Sequence, residues 1–126
     1  ALDLERLAVG DSLHMHLRTE LEANNVLYAS HAKCIYDFNR ESSVHSKIKN
    51  APNTSKARYI TEDVPYLFVP FCELADLCGV DVPIAKALVT IASYYNDEDY
   101  MKTGRTLAKM GFNHWTKQEI LAFLES

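Results

Sequence analysis

The chain has 126 residues, of which 48% are apolar and 24% charged, a balance that suits one packed core and excludes a disordered tract or fibrous repeat. Its formal net charge is -4 at pH 7, and no basic stripe interleaves with aromatic residues, so the footprint that neutralises nucleic-acid phosphates is missing. The longest apolar runs, 64–72 and 87–95, reach about half of the ~20 residues that cross a bilayer, so the expectation is a soluble, non-membrane protein.

In chain order, Leu2, Leu4, Leu7 and Ala8 predict a helix from the first residues, and a helix that opens with the chain suggests a natural polypeptide that begins earlier. Glu20–Asn39 reads as a second helix with Leu27, Cys34, Ile35 and Phe38 turned inward, whereas KNAPNTSKA at Lys49–Ala57 is loop by composition. Val64–Cys78 follows, with Leu67, Phe71, Leu74, Ala75 and Cys78 on one face and Gly79 as its stop. Pro65 is tolerated in the first turn. Pro70 falls inside, where it loses its own hydrogen bond and orphans the Tyr66 carbonyl, so a kink is expected.

The clearest periodicity lies in Asp81–Tyr95, where Ile84, Ala87, Leu88, Ile91, Ala92 and Tyr95 form an i, i+3, i+4 stripe behind a first-turn Pro83. Asp97–Met110 predicts a further helix on a thin apolar face of Tyr100, Leu107 and Ala108, stopped by Gly111, with Gly104 allowing a neighbouring backbone to come close. A last helix is expected over Lys117–Leu124, because Thr116 and Glu119 have capping-box spacing and Trp115 with Ile120 has that of a hydrophobic staple. No alternating strand pattern survives anywhere, so the expected fold is all-α, a helical bundle of about six helices.

Few constellations carry chemistry. His14 and His16 would share a metal only on a strand, since two residues apart on a helix point about 200° from each other; His31, His45 and His114 lack any ligand at metal spacing, and no metal is expected. Ser42–Ser43 has no nucleophile-elbow context. Cys34, Cys72 and Cys78 form no CxxC pair and suit a reducing cytoplasm as small apolar residues on helix faces. Asp97, Glu98 and Asp99 stand where a helix begins, as capping anions, and Lys47, Lys49 and Lys56 surround a loop. The four glycines never form a dinucleotide fingerprint or P-loop.

What remains is ARYITEDVPYLFVP, residues 57–70, where a cation and two anions precede two prolines and an apolar run. A turn into the helix would let Arg58 and Asp63 face a common volume, the arginine as a bidentate carboxylate grip and the aspartate as acceptor from a cationic partner. Spacing leaves a second reading open: Asp63 caps the helix, and Arg58 pairs with Glu62 or Asp63 as a structural ion pair.

RYITEDVPYLFVPFCELADLCGVDVP (58–83), GRTLAKMGF (104–112) and LDLERLAV (2–9) together resemble the C-terminal helical domain of the octopine/nopaline, or opine, dehydrogenase family. The resemblance runs from about Leu2 to Leu124, is most specific in the RYxTEDVP block and is poor over Ser12–Ser55. It implies a parent enzyme with an N-terminal Rossmann domain for NAD or NADP, an oxidoreductase acting on CH–NH groups that reductively condenses an amino acid with a 2-keto acid. It also implies that Arg58 is substrate-binding, gripping a carboxylate, and that Asp63 is catalytic, pairing with a histidine that lies before the stretch matching Ala1. None of the five histidines here inherits that role.

On this reading, residues 1–126 are a single helical substrate-binding domain resembling the C-terminal domain of 6-phosphogluconate-dehydrogenase-like enzymes, separated from its Rossmann domain and inactive alone. Such domains often pair, so a homodimer is expected, with Tyr59, Val64 and Leu67 as exposed apolar residues near the motif. The competing expectation is a non-catalytic interaction or dimerisation module on the same scaffold.

Overall fold

The structure, a computed structural model, describes residues 1–44, 47 and 51–125. Among them every regular element is helical: α1 (Leu2–Ser12), α2 (Glu20–Leu27), α3 (Ile35–Glu41), α4 (Arg58–Thr61), a π-helical turn (Val64–Phe68) running into α5 (Val69–Cys78), α6 (Pro83–Asn96), α7 (Tyr100–Thr103) and α8 (Lys117–Leu124). The all-α expectation therefore holds. His45 and Lys49, named above, lie outside the described residues.

The core is built from small side chains. α1, α5 and α6 pack on one another, and they bury Val9 and Leu13, then Val69, Cys72 and Ala75, then Ala85, Val89 and Ala92, with Val82, Tyr100 and Ile120 closing the cluster. Side chains of this size let helix axes approach closely. Burial pushes the Cys72 thiol above its ordinary value, so it stays protonated and inert at neutral pH.

One carboxylate belongs to this core. Glu5 on α1 is 9% exposed, and its two oxygens accept from the backbone N–H groups of Ile84 (2.7 Å) and Ala85 (3.0 Å) at the start of α6. Pro83 contributes no N–H and Val82 makes no side-chain cap, so a residue some 80 positions away satisfies donors that the local sequence leaves open.

Several expected helices are reshaped. Glu20–Asn39 is two helices, broken where Ala29 takes a left-handed φ of 49°; the Asn25 carboxamide locks the bend by bonding both the N–H and the C=O of Ala32. Phe38 is buried there, with the Tyr28 ring 5.4 Å away, but Leu27 and Cys34 are exposed, and Cys34 caps α3 with its sulfur instead of packing inward. Asp97–Met110 is helical only over Tyr100–Thr103. Asp97 ends α6 in a left-handed turn, and Asp99 pairs with Lys102 at 2.8 Å without capping α7. Beyond α7 the chain is held by Lys109, which donates to the carbonyls of Lys102, Thr103 and Gly104, and by Glu73, which accepts from the Leu107 N–H.

Local capping behaves as expected. The Thr116 hydroxyl accepts from the Glu119 N–H and the Glu119 carboxylate from the Thr116 N–H, α8 spans Lys117–Leu124, and Gly79 ends α5 with a φ of 70°.

Candidate functional site

The segment carrying the RYxTEDVP block enters from an extended Ala57 and turns at once into α4. Glu62 and Asp63 keep helical torsions and lead into the π turn. This corrects the expected non-helical entry: on helical backbone, residues five apart point roughly 140° from each other, so Arg58 and Asp63 do not face one volume. Arg58 is 76% exposed and sits 3.3 Å from Glu62, a surface pair worth little by itself.

Asp63 behaves otherwise. It makes no side-chain cap on the helix that follows, and among the described residues no ion pair engages it. It lies instead in the lining of a hollow of about 280 Å³. The π turn contributes Val64 and Phe68 to its lining, α4 Tyr59 and Ile60, α6 Leu88, Ile91, Ala92 and Tyr95, and the loop before α4 Ser55; among the described residues Asp63 is the only charged one in the lining.

The π turn decides which side chains reach that hollow. The Val69 N–H bonds the Val64 carbonyl, five residues back. In the same register the next donor would be Pro70, which has no N–H, so the Pro65 carbonyl is left over. It accepts instead from the Arg105 N–H at 2.7 Å. The expected kink is thus a π turn, and the orphaned carbonyl that another segment repairs is that of Pro65. Gly104 makes this approach possible: a Cβ there would stand 2.8 Å from the Pro65 oxygen and 2.6 Å from that of Tyr100. The close backbone approach expected at Gly104 is observed.

The inserted residue also rotates the buried face. Val64, Pro65, Val69, Cys72 and Ala75 are inside, whereas Leu67, expected inward, is 60% exposed. Tyr59 is exposed as expected, but Val64 is buried. On α6 the shift is of the same kind. Of the predicted stripe only Ala92 is in the core; Ile84, Leu88, Ile91 and Tyr95 are exposed, Ile91 by 54% and Tyr95 by 71%. Leu88, Ile91 and Tyr95 wall the hollow instead.

Sequence reasoning missed Ser55 and Asn96. The Asn96 Nδ2 donates to the Ser55 carbonyl (3.0 Å) and to the Tyr100 hydroxyl (2.9 Å), tying the loop before Arg58 to the end of α6, and its buried Oδ1 has no partner among the described residues. No local pattern could have signalled a contact across 41 residues. His14 and His16 sit beyond α1, His14 in a left-handed conformation, and the described residues contain no cluster of three or more metal-ligating side chains. No helix among them is long and apolar enough to cross a membrane.

With this geometry in place, the comparisons are specific. Residues 1–96 match the family model described as NAD/NADP octopine/nopaline dehydrogenase, alpha-helical domain. The chain belongs to this family. It is 34% identical over 110 residues to Protein ocs of Agrobacterium vitis, an alignment covering 87% of this chain and 30% of that protein. It is 32% identical over 109 residues to vitopine synthase of Allorhizobium ampelinum, covering 86% and 30%. Opine dehydrogenase of Arthrobacter sp. (strain 1C) is 28% identical over 124 residues, covering 98% and 34%. The chain thus spans about a third of the length of these relatives. GRTLAKMGF lies beyond the family-model match but within the length that the Arthrobacter relative aligns.

Proposed function

We propose that this chain supplies the substrate side of an opine-dehydrogenase active site, in which an amino acid condenses with a 2-keto acid and the imine is reduced. The observation that carries the reading is Asp63: a residue with no capping role and no ion pair among the described residues, in the lining of a concave site, in the block that most resembles the family. Structural capping, the competing account of this residue, would require a bond that is not made.

Asp63 would accept a hydrogen bond from a histidine presented by a second domain, setting the ring's tautomer and raising its basicity. Arg58 would exchange Glu62 for a substrate carboxylate. Both partners of the present pair are more than half exposed, so breaking it costs well under ~1 kcal/mol, while a carboxylate drawn into a closed cleft forms a stronger, bidentate bond.

The family is NAD/NADP-dependent, but the described residues do not fit a dinucleotide. Gly10 and Gly104 are buried within packed elements, while Gly79 and Gly111 end helical turns, so none opens a phosphate-binding loop before a helix. We assign the nicotinamide to a Rossmann domain within the other two-thirds of the parent's length, and predict that residues 1–126 alone do not turn over. A cytoplasmic location, suited by three free cysteines, belongs to the same proposal.

A second reading has one observation in its favour, the open apolar stripe of α6, which a dimer partner could cover. Kinetics of the parent enzyme separate the two. Arg58→Ala should raise KM for keto acid or amino acid, and Asp63→Asn should lower kcat by about 10²-fold or more. Unchanged values in both variants would remove these residues from the site and favour the dimerisation module.

A further inference from the structure

The hollow beside Asp63 is more than a seat for one carboxylate. We infer that it receives the side chain of the amino-acid substrate and that this side chain is apolar. The inference rests on the substrate-side reading of Arg58 and Asp63 and adds the class of amino acid that the site selects.

Size argues first. About 280 Å³ lies at or below the small end of pockets that hold whole ligands. It fits one side chain, with the α-carboxylate and amino group remaining outside it. It is too small for a helix or strand of a protein partner.

Lining argues second. Val64, Phe68, Leu88, Ile91 and Ala92 belong to its lining, so an entering aliphatic or aromatic group replaces water with carbon over most of the surface it meets. A guanidinium or carboxamide would leave water for a lining whose only charged member among the described residues is Asp63, and Asp63 is engaged by the chemistry proposed for it. In a lining that is mostly apolar, few of the remaining donors would find a partner, a situation that sites reject strongly.

Rigidity argues third. Val64 and Phe68 belong to the π turn that Arg105 pins through Pro65, and Ser55 is tethered by Asn96. The hollow is therefore held in shape before a ligand arrives, which favours discrimination between side chains.

The test is a titration of the 126-residue chain labelled at isoleucine and alanine methyls. Leucine, norvaline and phenylalanine should shift Ile60, Ile91 and Ala92 saturably and leave Ile120, in the core, unmoved. Arginine and glutamine should bind at least about tenfold more weakly. Ile91→Asp, at a half-exposed position, should reverse the order and let arginine shift the Ile60 and Ala92 methyls. Arginine matching leucine on the unaltered chain, or no saturable shift from leucine, overturns the inference. Leucinamide titrating with the midpoint of leucine would support the apolar hollow while removing Arg58 as the partner of the α-carboxylate. In the parent enzyme, nicotinamide oxidation with arginine but not leucine would overturn the inference and keep the dehydrogenase reading; no oxidation with any amino acid would overturn that reading itself.

Discussion

α6 has two apolar faces, and they do opposite things. The inner face, Ala85, Val89 and Ala92, is built from small side chains and is nearly inaccessible, pressed against α1 and α5. The outer face, Ile84, Leu88, Ile91 and Tyr95, carries the larger side chains and stays exposed, and its last three residues line the hollow that Asp63 also lines. By apolar area alone, the outer face would make the better core. The inner face is buried because its size matches its neighbours: α5 offers Val69, Cys72 and Ala75, and packing density near that of a crystal leaves no room for four large residues there. A helix apolar on two sides stands between a core and a second environment, which here is the candidate site.

The sharpest way to break this comparison is to place the same charge on each face. Val89→Asp buries an unpaired carboxylate and should cost about 3–5 kcal/mol, enough to abolish a cooperative urea transition in a domain of ordinary stability. Ile91→Asp, on the outer face, should change stability by no more than about 0.5 kcal/mol. Comparable losses from both would mean that the outer stripe is also core.

A smaller effect is expected where the inner face is anchored. Glu5→Ala leaves the N–H groups of Ile84 and Ala85 without their acceptor and should lower unfolding free energy by about 1–3 kcal/mol, read as a shift in denaturation midpoint at unchanged slope. Glu5→Gln keeps one acceptor oxygen and should fall between. If Glu5→Ala instead leaves the midpoint in place, α6 is positioned by packing alone.

The smallest effect lies away from both faces, at the α8 capping box. The Thr116 N–H, then the Thr116 hydroxyl, hold the Glu119 carboxyl below the ordinary glutamate value of 4.5. Because the folded-state value is the lower one, the stabilisation is present above the unfolded value and is lost as pH falls through the folded one. Acidification below about 4 should therefore fray the start of α8. Amide protection at Lys117–Ile120, taken relative to the intrinsic exchange rate at each pH, would report it, and Glu119→Gln should remove the pH dependence of that protection.

Legibility followed range. Thr116 with Glu119, Pro83 at the start of α6 and Gly79 at the end of α5 involve groups within a turn of each other, so adjacent residues suffice to specify them. The site was legible only as a block of residue types. Arg58 and Asp63 stood out by their chemistry and by the resemblance of RYxTEDVP, yet their relative direction depended on backbone torsions that Pro65 and Pro70 leave open until Arg105 arrives to bond the Pro65 carbonyl. Asn96 and Glu5 gave no signal, because each acts on backbone 41 or about 80 residues distant.

By itself, then, the sequence determined that this chain is helical, where its best-capped helices start and stop, and which family it belongs to, since these follow from i to i+4 contacts and residue order. The tertiary structure alone decided that the Val64–Phe68 turn takes π register, that α6 buries its small stripe and opens its large one, and that Asp63 meets a hollow while Arg58 pairs with Glu62. Those outcomes depend on which surfaces of distant segments fit together, and steric fit between remote helices has no local period to read.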